Sequence, residues 1–168
     1  MSSSPADRVF RSTSPEPRPP IPAARPPNLE AAAGVNRSMA SESSYDPLYL
    51  EGIRHFNACD YFESHEVWEA LWTEYRGEAR KFYQGLIQAA VALYHFGNGN
   101  LRGARKLHGS VHGYLEPYLP SYLGLDLVTF LRDFDRCLAD VVANPKATAD
   151  IPLDPELLPE IHLAPSPT

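Results

Sequence analysis

The distribution of proline constrains this chain more than any other feature. Of its 17 prolines, 8 fall in residues 1–44, 3 in residues 45–143 and 6 in residues 144–168. Each proline fixes φ and removes a backbone donor, so a dense run opposes both helix and sheet. The proline-poor middle, about 100 residues, is therefore where a core has to form, and a segment of that size buries enough surface for one small domain. The expected organisation is a disordered Pro/Ser/Arg-rich tail over 1–44, a helical domain over 45–143 and a Pro-rich C-terminal tail over 144–168.

Within the first tail, the tract Pro15–Pro27 has the composition of a polyproline II ligand for a proline-reading module, or of a plain solvated segment. Met39, just ahead of Ser41–Pro47, is a candidate alternative start. The formal net charge is −6: +1 over 1–44, −4 over 45–143 and −3 over 144–168. An acidic core without a basic stripe argues against a nucleic-acid partner, whose affinity comes largely from neutralising phosphates. No apolar run reaches the ~18–20 residues of a membrane span, so no membrane partner is expected. The N-terminus lacks the apolar stretch of a secretory signal, which favours a cytoplasmic location. Its Ser, Arg and Ala content leaves an organellar transit peptide as the alternative. Cys59 and Cys137 fit neither a zinc spacing nor a disulfide framework and are expected as small buried hydrophobes.

Periodicity predicts five helices and no strand. The first starts at Asp46–Pro47, an N-cap acid with proline at the first helical position, and runs to about Asn57. After the turn Ala58–Asp60, a second helix runs to about Tyr75, with Asp60 as N-cap, Glu63 in capping-box position and Gly77 as the stop. The third, about Glu78–Phe96, is apolar nearly all round and so is expected at the centre of the bundle. Gly97–Asn100 ends it and caps a fourth helix, about Leu101–Tyr118; a fifth spans about Leu125–Ala143. The segments before helices two and four echo one another, with Ser64 and Ala104 at equivalent places. This resembles the helical hairpin of tetratricopeptide repeats, so the fold class is read as all-α: a compact bundle of about five helices in repeat-like hairpins.

Two of these helices carry the candidate site. His65 and Glu69 are four apart and Glu66 and Glu69 three apart, so they share one face of helix two. Gln84, Gln88 and His95 fall on one stripe of helix three, and Arg80 extends it by a turn. If these helices are antiparallel neighbours the two sets face each other across a polar cleft. Three readings stay open. The groups form a buried hydrogen-bond network, with Arg80 on Glu66 or Glu69. Alternatively His65, Glu69 and His95 bind a divalent metal, with Glu66 or water completing the shell. In the third reading the cleft takes a small polar ligand or a partner peptide between walls of Trp68, Trp72, Tyr83 and Tyr94. His65 held by Glu69 is the best general-base candidate, but no nucleophile motif, phosphate loop or cofactor fingerprint names a reaction. His108 and His112 are also i, i+4 and are expected as a solvated pair.

The elements Phe56-Asn57, Tyr61-Phe62-Glu63-Ser64-His65-Glu66, Gln84-Gly85-Leu86-Ile87-Gln88, Tyr94-His95 and Gly99-Asn100 occur together in this order. Together they resemble the small helical family catalogued as domain of unknown function (DUF) 309, over roughly residues 48–135. The resemblance implies an all-α, repeat-like hairpin fold, with the family's polar signature on Asn57, Glu63, His65, Glu66, Glu69, Gln84, Gln88, His95 and Asn100. It supplies no activity. The leading expectation is a non-enzymatic helical binding or scaffold protein, with self-association among its options. The alternative is a metal-dependent hydrolase-like enzyme using His65, Glu66, Glu69 and His95.

Overall fold

The computed structural model describes residues 44–147 and 150–165. The expectations for the Pro15–Pro27 tract, for Met39 and for the N-terminal tail lie outside these residues. Five α-helices follow in chain order: α1 (Pro47–Asn57), α2 (Tyr61–Glu74), α3 (Arg80–Gly97), α4 (Leu101–Leu115) and α5 (Leu127–Ala143). The architecture is all-α, and among the described residues no helix is long and apolar enough to cross a membrane.

Local chemistry sets most boundaries. Asp46 accepts from the Leu48 N–H at 2.8 Å and Pro47 opens α1. Asn100 accepts from the Gly103 N–H at 2.9 Å and opens α4. Asp60 differs from expectation: it makes no side-chain cap bond, and its carboxylate lies 3.8 Å from His55 Nδ1 instead. Helix α2 stops at Glu74, three residues before Gly77, because Tyr75 turns extended. Its orphan end is covered by arginine: Arg76 donates to Thr73 O at 2.6 Å, and Arg80 Nε donates to Tyr75 O at 3.1 Å.

The turns after α1 and α3 are built alike. The Asp60 N–H bonds His55 O at 2.9 Å and the Cys59 N–H bonds Phe56 O at 3.0 Å; the Asn100 N–H bonds His95 O at 2.8 Å and the Gly99 N–H bonds Phe96 O at 3.0 Å. Cys59 and Gly99 hold the matching positive φ of 64° and 77°. Each turn is a left-handed helix end leading straight into the next helix. Cys59, expected to be buried, is exposed by this turn; Cys137 is buried as expected, and burial pushes its thiol up to about 12.

Consecutive helices pack against each other around α3, whose Phe82, Leu86, Ala89, Ala90, Ala92 and Leu93 are fully buried. Phe56 anchors the other side of the core, with ring centroids 5.2 Å from Tyr61, 5.9 Å from Trp68 and 5.9 Å from Phe130. The close approach of α1 and α2 depends on Gly52, where a Cβ would fall 2.0 Å from Trp68 Nε1. Ser64 donates to Gly52 O at 2.8 Å across the same contact.

Two features depart from the expected helices. The fourth helix ends at Leu115 and continues as a 3-10 turn, Glu116–Tyr118. A two-stranded antiparallel hairpin follows, Ser121–Tyr122 with Leu125–Asp126. Its central residues, Leu123 and Gly124, have φ of 46° and 77°, as a tight primed hairpin turn requires. Asp126 then caps α5, accepting from the Thr129 N–H at 3.1 Å and its hydroxyl at 2.7 Å, which holds its carboxyl below the usual range. The segment after α5 contains a 3-10 turn, Pro155–Leu157, and returns to the bundle, where Ile161 is buried.

Candidate functional site

Helices α2 and α3 run antiparallel, and ring contacts mark both ends of their seam. Phe62 meets Tyr94 at one end, with centroids 5.7 Å apart. At the other the Arg80 guanidinium lies 3.9 Å from the centre of the Trp72 ring. Between these contacts lie His65, Glu66 and Glu69 on α2 and Gln84 and Gln88 on α3.

Its members have separate environments. His65 is buried, packs edge-on against Phe62 and has Nε2 3.5 Å from Glu69 Oε2, while Glu69 keeps 45% of its side chain exposed. Gln84 and Glu66 are half-buried, and Gln88 is buried with no hydrogen-bond partner for Oε1 among the described residues. Arg80, expected on a glutamate, stacks on Trp72 and bonds Tyr75 O. Of the expected walls, Trp68 is core, with its N–H on Tyr49 O at 3.2 Å, and Tyr83 is core against Tyr49 and Tyr75. Burial pushes the Tyr83 phenol up to about 12. Trp72 is half-buried and Tyr94 exposed, so they are the two that border the seam.

His95 sits at the end of α3, beside the first turn of α4. Asn100 uses Oδ1 to cap Gly103, which turns its Nδ2 donor to His95 Nδ1 at 3.2 Å. Nδ1 is then an acceptor, so the neutral ring carries its proton on Nε2, an atom buried without a partner among the described residues. Burial holds the imidazole below its ordinary pKa, which favours this neutral form. The donor atoms of His65, Glu69 and His95 do not form a metal-sized group; the group that does, among the described residues, is His108, His112 and Asp135. These two histidines are therefore not a solvated pair. They are half-buried, both reach Asp135, and His108 stacks on Phe134. Their spacing was readable in the sequence, whereas Asp135 arrives from another helix.

A five-helix, all-α protein whose consecutive helices pack against one another is the class these observations define. Residues 49–107 match the family model described as Domain of unknown function (DUF309), which bears out the resemblance from α1 through the first half of α4. Over 65 residues the chain is 43% identical to the uncharacterised protein YpuF of Bacillus subtilis (strain 168), covering 38% of this chain and 37% of that protein. Over 54 residues it is 41% identical to an uncharacterised protein of Aquifex aeolicus (strain VF5), covering 32% of this chain and 16% of the other. The chain thus spans well under half the length of these relatives.

Proposed function

We propose that this is a helical binding protein whose α2–α3 seam takes up a small polar ligand. One observation carries the reading: Gln88 Oε1 in the seam and His95 Nε2, seven residues further along α3 and beside α4, are an acceptor and a donor buried without partners among the described residues. A buried polar atom left unpaired costs about 1–3 kcal/mol, so a pair of them fits use better than accident. Seven helical residues rise about 10 Å, so a ligand that answers both must carry a donor and an acceptor about that far apart, as a carboxylic acid with an amide at its far end does. Consecutive hairpins commonly present concave surfaces, which supports binding over a scaffold role. The hydrolase-like alternative needs donors that converge on a metal, and no observation at this seam favours it.

Thermal melts of the purified chain against a panel of carboxylic acids with an amide at the far end test the reading, with Gln88→Leu and His95→Phe beside the wild type. The expected outcome is a compound that stabilises the wild type and neither variant, while both variants match or exceed the wild type without it. If no compound raises the wild-type melting temperature above that of the variants, the seam is structural.

A further inference from the structure

From a different face of the molecule we infer a divalent transition-metal site formed by His108, His112 and Asp135. His108 and His112 stand one turn apart on α4, and Asp135 faces them from α5. His108 Nε2 lies 2.7 Å and His112 Nε2 2.6 Å from the same oxygen, Asp135 Oδ1, and the three donor atoms all fall within 4.8 Å of one another. Two imidazole nitrogens and a carboxylate oxygen are a donor set for zinc and its borderline neighbours rather than for calcium or magnesium.

The surroundings point to a cation rather than an ordinary hydrogen bond. His112 has a carboxylate at each nitrogen: Asp135 at Nε2, and Glu116 Oε1 3.3 Å from Nδ1. With Glu116 on the Nδ1 side, Nε2 is the nitrogen His112 turns toward Asp135 and the one placed to ligate a metal ion. With a metal at Nε2, Glu116 becomes the carboxylate that orients a ligating histidine and strengthens it as a base. His108 is held from the other side by its stack on Phe134, rings 5.6 Å apart and 10° from parallel. Its ring is therefore pre-positioned. Metal ligands in a tetrahedral shell stand about 3.3 Å apart, so Asp135 has to withdraw by several tenths of an ångström. Its side chain is 44% exposed, which leaves room for that movement and for water at the remaining coordination positions.

All three ligands lie beyond the 49–107 family match, so the site belongs to the C-terminal half of this chain. It joins α4 to α5 and is independent of the α2–α3 seam. The test uses the untagged full chain, stripped with chelator and titrated with Co²⁺ by visible absorption and with Zn²⁺ by calorimetry. One ion per chain is expected, with the intense visible bands of a four- or five-coordinate Co²⁺. His108→Ala and Asp135→Asn should each weaken Zn²⁺ binding at least ten-fold, and Glu116→Gln about ten-fold. His162→Ala, a surface histidine paired with Glu160, should change nothing. His108→Gln/His112→Gln, checked for wild-type helix content by far-UV circular dichroism, guards against loss through misfolding. Wild-type binding no tighter than in this folded double variant, or binding that His162→Ala abolishes, overturns the inference.

Discussion

His95, at the α4 end of α3, is the most constrained polar side chain of that helix. Its Nδ1 faces a donor from Asn100 and its Nε2 is buried, so protonating it would place a charge where burial already disfavours one. The folded pKa is therefore below the ordinary value of 6.5 that the unfolded chain keeps. Above that value neither state holds the proton and His95 adds no pH dependence. As pH falls through it, the unfolded chain takes up a proton that the folded chain refuses. Stability then falls by up to about 1.4 kcal/mol per pH unit until the folded pKa is reached. Urea unfolding at about pH 7.5 and about pH 5 should show the wild type losing more stability than His95→Phe. Equal losses would mean that the ring titrates normally. That His95 and Gln88 are unusual was legible, because polar groups on an apolar helix stand out. The bond to Asn100 was not: capping chemistry marked Asn100 as an N-cap but could not say where its second amide atom would point.

The helices themselves were legible almost to the residue, because Pro47, Asn100 and the periodic apolar faces carry their own local physics. So was the echo between the two hairpins, whose turns share one backbone hydrogen-bond pattern. What escaped reading came from tertiary placement. The β hairpin has two-residue strands, too short for any alternation, and puts Leu123 at positive φ against its intrinsic preference. Asp135 meets the α4 histidines only because α5 folds back. Glycine shows the same division. Gly52 and Gly109 are both helical, yet a Cβ at Gly52 would sit 2.0 Å from a fully buried indole, whereas at Gly109 it would meet nothing within 4 Å. Gly52→Ala should therefore force α1 off α2 and cost about 3 kcal/mol, the upper part of the usual overpacking range. Gly109→Ala should gain about 0.5–1 kcal/mol, since alanine suits an exposed helix better. Urea midpoints moving in the same direction for both would contradict this packing.

At the scale of the whole molecule, the C-terminal segment is bound back to the bundle by two side chains, Asn57 at Ile161 and Tyr45, whose hydroxyl donates to Ala164 O at 3.3 Å. Asn57 Nδ2 donates to Ile161 O and the Ile161 N–H donates to Asn57 Oδ1, both at 2.8 Å, so the carboxamide imitates a peptide group pairing with a strand. Beside it the Ala164 N–H bonds Gly124 O at 2.8 Å, and Ile161 is 1% exposed. Ordering such a segment costs about 1–2 kcal/mol per residue in backbone entropy, while burying one isoleucine returns about 1.5–3 kcal/mol. The isoleucine alone cannot hold the segment, so the paired amide bonds have to carry part of the balance. Asn57→Ala removes both at once and leaves the Ile161 backbone groups unpaired. It should cost about 1–3 kcal/mol locally and release the segment around Ile161 before the bundle unfolds. Hydrogen exchange should then show residues 157–164 losing protection in Asn57→Ala, with α3 still protected. Ile161→Ala should release the same residues by removing the buried anchor. If either variant unfolds the helices and the segment together, the C-terminal segment is an integral part of the core and not a strap laid over it.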